Sequence, residues 1–438
     1  MKRQLGYIAV ALFFFLFIDG LLPQVQMLLL SGSVPLKNVM VKMVMVVCLG
    51  GALLLHAFKA GKVLALKPIL LPYAAFLLYL TVHFILFCND YPVDYLLFSY
   101  NAYYFFLIML PLAAHLSLSS ESFNLWLFTM SIPLLLIGIL QSALNAPLLP
   151  VVSSDGYFEV LSWSYYEGKV RSFSLFSSGL NYGQFLSLLG ASAVCLALSA
   201  RRRRRRLLFL GLLLVSTFAT YTTLTRNIYI QYAFTVFTSL VLTWSTKRRV
   251  SVSRLRVAIL PVLFGIISAV LVFGVQGYLL LVAGDRTILR DESLTMRLVQ
   301  WAEFFPYWTQ HGLDRLLFGT ALMQGGEKFS ISEGVLIDNT FLVIGLHSGL
   351  IGLLLWMLLM WKIWRWMLQN IDTFPDNSVL IALTSLWATW ISSGIFNATL
   401  SLYPMLAMVA LPIALTARRL QTMERLSMRP LVCMQHIP

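Results

Sequence analysis

The chain has 438 residues, 59% of them hydrophobic and only 11% charged, with a mean hydropathy of +0.81. Soluble domains carry roughly 25% charged and 45–50% apolar residues, so a soluble enzyme and a disordered chain are both excluded. Long unbroken apolar runs without polar alternation exclude a transmembrane barrel and predict an all-α, polytopic integral membrane protein. In that setting the net charge of +14 records Lys and Arg on cytoplasmic loops, not nucleic-acid binding.

A span takes roughly 20 apolar residues. Runs near 5–23, 39–58, 67–88, 96–116, 123–142, 176–199, 207–224, 228–245, 255–276, 337–361, 378–396 and 399–416 predict about twelve transmembrane helices. Met1-Lys2-Arg3 and the apolar residues after it imitate a signal peptide. No small-residue cleavage site follows, and Asp19, Gly20 and Pro23 end the run, so it reads as an uncleaved first span.

Orientation follows from the loops. With both termini cytoplasmic, one face holds Lys2, Arg3, Lys59, Lys62, Lys67, Arg201–Arg206, the basic residues of 247–256, Lys362, Arg365 and the four arginines of the tail. That is about two-thirds of the basic residues, against Glu121, Asp372, Asp376 and Glu424, and this asymmetry supports both the span count and the orientation. The six-arginine run reads as a stop-transfer anchor between two spans, with nucleic-acid or anionic-lipid binding as the alternative. The cysteines (Cys48, Cys88, Cys195, Cys433) have no metal-ligand spacing, so neither disulfides nor a structural metal is expected. There is no P-loop, no dinucleotide fingerprint and no HExxH motif, and no cofactor is expected.

The spans divide the chain into N-terminal helices (1–142), a first long outer loop (143–175), central helices (176–276), a large outer loop (277–336), C-terminal helices (337–416) and a cytoplasmic tail (417–438). Long loops without regular structure are usually functional, so chemistry is expected on the outer face. The first loop carries Asp155, Glu159, Trp163, Tyr165, Tyr166, Glu167, Lys169 and Arg171. Aromatics beside carboxylates suit sugar rings, and an interfacial aromatic belt explains them equally.

Arg171 opens a polar, glycine-containing entry to a span through Gly179, Asn181, Tyr182 and Gly183. Polar backbone at membrane depth is tolerated mainly where it lines a cavity. Arg226 lies between two spans joined by almost no loop, and an arginine held at the membrane is a functional candidate by default. In the second loop Arg286, Arg290, Asp291 and Glu292 precede 293–304, which reads as an amphipathic helix with Ser293, Arg297 and Trp301 on one face. Asp338 and Asn339 stand at the mouth of the next span, where Asp338 also suits an N-cap. His347 is out of phase with Asp338 and reads as a packing residue; His311 is a weaker base candidate; His83 has no partner in sight.

These features resemble the O-antigen polymerase and O-antigen ligase superfamily. The likeness rests on Arg171 with the Asn181-bearing span entry, on Thr225-Arg226 at the head of a mid-chain span, and on Ser293-x3-Arg297-x3-Trp301. Leu317-Phe318-Gly319 and Asp338-Asn339-x9-Gly349-x2-Gly352 follow in order. It covers the C-terminal two-thirds of the chain. The ligases carry His where this chain has Asp338, which favours a polymerase; the proline often found before the Asn181 equivalent is missing.

The resemblance implies a GT-C-like glycosyltransferase architecture with periplasmic loops in a bacterial inner membrane. It implies a metal-independent, inverting transfer of an undecaprenyl-diphosphate-linked glycan onto a lipid-linked repeat unit. Its partners would be that lipid-linked oligosaccharide, membrane lipids and a chain-length regulator, with no nucleic acid. Without a metal, arginines must stabilise the leaving diphosphate, which they bind bidentately. Arg226 and Arg297 are the expected catalytic arginines and Asp338 the expected base, with His311 or Glu292 in reserve. Arg171, Arg290, Asn181, Tyr182, Trp301 and Asn339 are the expected substrate-binding residues. The alternatives are a ligase acting on lipid A core and a lipid-linked sugar transporter or flippase. The latter needs charged or polar residues deep in several spans, and the spans between the loops are nearly free of charge, which counts against it.

Overall fold

The computed structural model describes residues 67–91, 96, 100, 103, 107, 120–148, 165–166, 168–176, 178–248, 312–321, 340–373 and 378–393. The elements are α1 (Lys67–Phe87), α2 (Ser120–Leu144), a two-stranded antiparallel hairpin of β1 (Tyr165–Tyr166) and β2 (Lys169–Val170), α3 (Gly179–Ser199), α4 (Arg203–Thr222), α5 (Arg226–Lys247), the short α6 (Leu313–Phe318), α7 (Thr340–Thr373) and α8 (Ser378–Ser393).

Among the described residues five stretches, Ile69–Phe87, Phe123–Leu144, Gly179–Ser199, Asn227–Lys247 and Thr340–Ile371, are long and apolar enough to cross a membrane. The chain is a helical membrane protein. Of the expected spans, 96–116 is represented by Leu96, Tyr100, Tyr103 and Leu107, which are helical and buried at spacings that share one face. Those at 5–23, 39–58, 255–276 and 399–416 lie outside the described residues. The small hairpin falls in a stretch expected to be loop, and α7 continues well past the expected end at 361.

Helix α3 is the centre of the bundle. Of its apolar length 83% is buried, against 28% for α1 and 33% for α2. It packs on α4, α5 and α8. Its small residues let α5 come close, because a glycine leaves room for a neighbouring helix. A Cβ on Gly183 would fall 2.3 Å from the Ile228 side chain, and one on Gly190 would fall 2.6 Å from the Tyr232 hydroxyl. These contacts, with Thr243 donating to the Cys195 sulfur further down at 3.3 Å, show that α3 and α5 run parallel. Tyr232 shares a hydrogen bond with Ser216 of α4 at 2.7 Å, and Thr235 donates to Thr389 of α8 at 2.9 Å. Trp356 of α7 packs against Trp390 of α8.

Helix α7 is broken at Gly349 (φ 64°, ψ −174°). A break strands the carbonyls before it, and buried carbonyls need donors. Here the donors come from elsewhere in the chain. Thr320 N–H donates to Leu346 O at 2.7 Å, Ala321 N–H donates to His347 O at 2.9 Å, and the Tyr79 hydroxyl donates to Ser348 O. Gly319 (φ 79°) crosses Gly349 with the two backbones in contact. A Cβ on Gly349 would lie 2.1 Å from Leu317 O, and one on Gly319 would lie 2.5 Å from His347 O.

His83 of α1 closes the crossing from the other side. Its Nε2 meets the Phe318 carbonyl and its Nδ1 meets the Tyr100 hydroxyl. A carbonyl only accepts, so Nε2 carries the proton and Nδ1 accepts from Tyr100.

Gly349→Ala puts a methyl into the Leu317 backbone at a positive φ and should cost about 2 kcal/mol or more. Gly211→Ala, where nothing lies within 4 Å of the added carbon, should be neutral or slightly stabilising. Thermal unfolding of the two variants in detergent checks the contrast; equal midpoints would contradict the crossing.

Candidate functional site

The chain leaving the hairpin, residues 170–174, is pinned to the end of α2. Asn145 accepts from Val170 N–H at 2.8 Å and donates to Gly168 O at 3.1 Å. Gln141 accepts from the N–H groups of Phe173 (3.1 Å) and Ser174 (2.8 Å), and its amide donates to Ser174 O at 3.1 Å. The hydroxyls of Ser172 and Ser174 donate to Gly138 O (2.6 Å) and Leu134 O (2.8 Å). Arg171, half-buried, is therefore carried on backbone fixed on both sides.

The same segment reaches the α4–α5 turn. Ser172 N–H donates to Thr222 O, the end of α4, at 3.1 Å. Gly179 fills the remaining gap, with the position of its absent Cβ 3.2 Å from Ser172 O and 3.5 Å from Thr223 O. Two stretches separated by some fifty residues, one bearing Arg171 and the other opening with Thr225-Arg226, thus lie side by side.

Two helix N-termini meet at this place. Ser178 caps α3 by accepting from Asn181 N–H at 3.2 Å. Thr225 leads into α5 without capping it; its hydroxyl donates to Thr223 O at 2.9 Å. The carbonyls at the end of α4 are taken up, Tyr221 O by the Tyr229 hydroxyl at 2.8 Å and by Leu224 N–H at 3.2 Å. What remains is the positive end of two helix dipoles together with the arginine-bearing segments, a setting that favours an anion. Backbone strain gathers here too. Asn145 (φ 50°), Ser174 (φ 53°) and Leu224 (φ 49°) all hold left-handed conformations that non-glycine residues rarely adopt, and such outliers collect at functional sites.

Of the residues singled out in the sequence, Arg171, Asn181, Tyr182 and Arg226 fall in this neighbourhood. Arg226 is the first residue of α5. Asn181 is buried in the first turn of α3. Tyr182 is fully buried, and its hydroxyl donates to Leu134 O at 3.2 Å. Its ring lies where a Cβ on Gly138 would be. Tyr182 thereby joins α2 to α3. Arg290, Arg297, Trp301, Asp338 and Asn339, with the reserve bases Glu292 and His311, lie outside the described residues. His347 is wholly buried, its ring centroid 4.6 Å from Tyr100, 5.0 Å from Tyr103 and 5.9 Å from His83.

Four amide residues that were not among the expected site residues also lie here. Gln141 and Asn145 hold the Arg171 segment. Gln184 and Gln231, one turn deeper in α3 and α5, are buried, and their side-chain amides have no hydrogen-bond partner among the described residues. Gln184 is one residue past Gly183 and Gln231 three residues past Ile228, so the Gly183–Ile228 contact places both in the turns just below the paired N-termini. The signal was present as Asn181-x2-Gln184 and Asn227-x3-Gln231, helical spacings that extend a polar stripe inward from each arginine-bearing end. Among the described residues no group of His, Cys, Asp and Glu is placed to hold a metal ion.

No protein-family model matches the chain, and no curated protein matches it either.

Gln141→Leu removes three hydrogen bonds from buried backbone and should cost about 2–4 kcal/mol. Hydrogen exchange at the Phe173 and Ser174 amides should quicken, while exchange in α8 stays unchanged. Unaltered protection at those two amides would show that Gln141 does not hold the segment.

Proposed function

We propose that the protein is an O-antigen-type polysaccharide polymerase: a metal-independent, inverting glycosyltransferase of about twelve spans in a bacterial inner membrane, with both termini cytoplasmic. It transfers a glycan from undecaprenyl diphosphate to a lipid-linked repeat unit at the periplasmic face. One observation carries the reading. The Arg171 segment is hydrogen-bonded through Ser172 N–H to Thr222 O, the last residue of α4, and so lies beside the Thr225-Arg226 turn at the paired N-termini of α3 and α5. The backbones of two arginine-bearing stretches are thereby adjacent, the arrangement from which a clamp on a departing diphosphate would be built.

In the proposed reaction an acceptor-sugar hydroxyl oxygen attacks the anomeric carbon of the donor. The bond from that carbon to the diphosphate oxygen breaks, and undecaprenyl diphosphate leaves with the electron pair. Asp338 takes the hydroxyl proton. Arg226 and Arg297 stabilise charge on the leaving group, with Arg171 and Arg290 holding its phosphates; guanidinium does this through paired N–H donors that an ammonium lacks. Trp301, Asn181 and Asn339 serve the sugars. The unpartnered amides of Gln184 and Gln231 suit sugar hydroxyls, since a buried amide without a partner is costly in an apolar surround. The donor enters from the bilayer, so the site opens sideways to lipid.

Purified protein incubated with a lipid-linked repeat unit should build polymer in the presence of a chelator. Arg171→Lys, Arg226→Lys and Asp338→Asn should each lower the rate about 100-fold or more at unchanged protein level. Wild-type chain lengths in both arginine variants would remove the proposal. In a deletion strain, single repeats on the lipid A core identify a polymerase, and polymer left on the carrier identifies a ligase.

A further inference from the structure

Six consecutive arginines, Arg201–Arg206, connect α3 to α4, and Arg203–Arg206 form the first turn of α4 itself. All six are exposed. A stop-transfer anchor needs positive charge in the loop. It gives no reason to place four guanidinium groups inside the helix, where they are disfavoured twice. They repel one another, and they sit at the positive end of the helix dipole, which favours acids. No side chain caps this helix, because Arg202 at the cap position makes no capping bond.

The end of α5 adds to the charge. Lys247 donates to the Leu198 carbonyl at the end of α3, and the Arg248 guanidinium carbon lies 4.6 Å from the ring centroid of Trp244. None of these cations forms an ion pair with an acid among the described residues. Helix direction brings Glu121 at the start of α2 and Asp372 near the end of α7 to the same end of the bundle, where the cations heavily outnumber them. Just past the arginine turn α4 becomes apolar, and Leu207, Leu208, Leu210, Leu214 and Phe218 are exposed.

We infer that this end of α3, α4 and α5 is a binding site for anionic phospholipid headgroups, with acyl chains lying along the exposed face of α4. The phosphates accept from the guanidinium groups and the uncapped N–H groups of the first turn, which relieves both penalties. The leucine face favours a lipid as the occupant: α4 runs from the arginine turn straight into an apolar face, so a headgroup meets the guanidinium groups where its acyl chains can lie along the leucines. The site lies at the opposite end of α3 from Arg171 and stands apart from the proposed transfer reaction.

The test is native mass spectrometry of the purified full-length protein with equal amounts of phosphatidylglycerol and phosphatidylcholine. Wild type should retain phosphatidylglycerol several-fold more than phosphatidylcholine. The variant R203Q/R204Q/R205Q/R206Q keeps Arg201 and Arg202 for topology and should lose that preference. Equal retention of the two lipids by wild type, or an undiminished preference in the variant, overturns the assignment. If the variant fails to accumulate, raising salt on wild type decides: a preference that falls with salt supports the site, and one indifferent to salt overturns it. Displacement of phosphatidylglycerol by a single-stranded oligonucleotide would assign the patch to nucleic acid instead.

Discussion

The hydrocarbon layer offers a polypeptide no hydrogen bonds, so every irregular piece of backbone held within the bundle needs donors and acceptors from the chain itself. Two places in this protein meet that demand at length. At Gly349 three carbonyls freed by a helix break accept from Thr320, Ala321 and Tyr79. At residues 170–174 an extended segment is satisfied almost entirely by the end of α2, through Gln141, Asn145 and the carbonyls of Leu134 and Gly138. In both cases non-helical chain is kept inside the bundle against a strong preference for helix. The second case carries Arg171, which ties the cost of irregularity to the proposed chemistry.

Glycine serves both places by absence of bulk. Gly179 lets the Arg171 segment approach the α4–α5 turn, and Gly183 and Gly190 let α5 approach α3. The N-termini of the two helices are thereby brought side by side. The electrostatic character of the site is thus a product of close helix packing as much as of the arginines.

Much of the scaffold was legible in the sequence, since an apolar run of sufficient length has few alternatives to a spanning helix. The break in α7 was not. Glycine in an apolar helix is ordinary, and Gly349 breaks the helix because Thr320 and Ala321, far away in sequence, supply the donors. Arg171 and Arg226 stood out because charge is rare in such a chain. Gln141 and Asn145 did not, because amides at a helix end look like any polar terminus until the segment they bind is seen. Tyr182 was legible as part of a polar span entry, but its burial depends on the gap left by Gly138, which no local pattern announces. His83 looked solitary for the same reason: its partners, Tyr100 and Phe318, come from other parts of the chain.

The reach of those partnerships bears on biogenesis. Tyr79 and its acceptor Ser348 are 269 residues apart, and His83 and Phe318 are 235 apart. A membrane chain is inserted from its N-terminus as it is made. Helix α1 therefore enters the bilayer with an imidazole and a phenol whose eventual companions have not been synthesised. Those groups must wait, solvated by water near the interface or by temporary neighbours, until α6 and α7 arrive. Closure of the Gly319–Gly349 crossing is consequently a late event in assembly, and a chain stalled before α7 would leave Tyr79 without its acceptor.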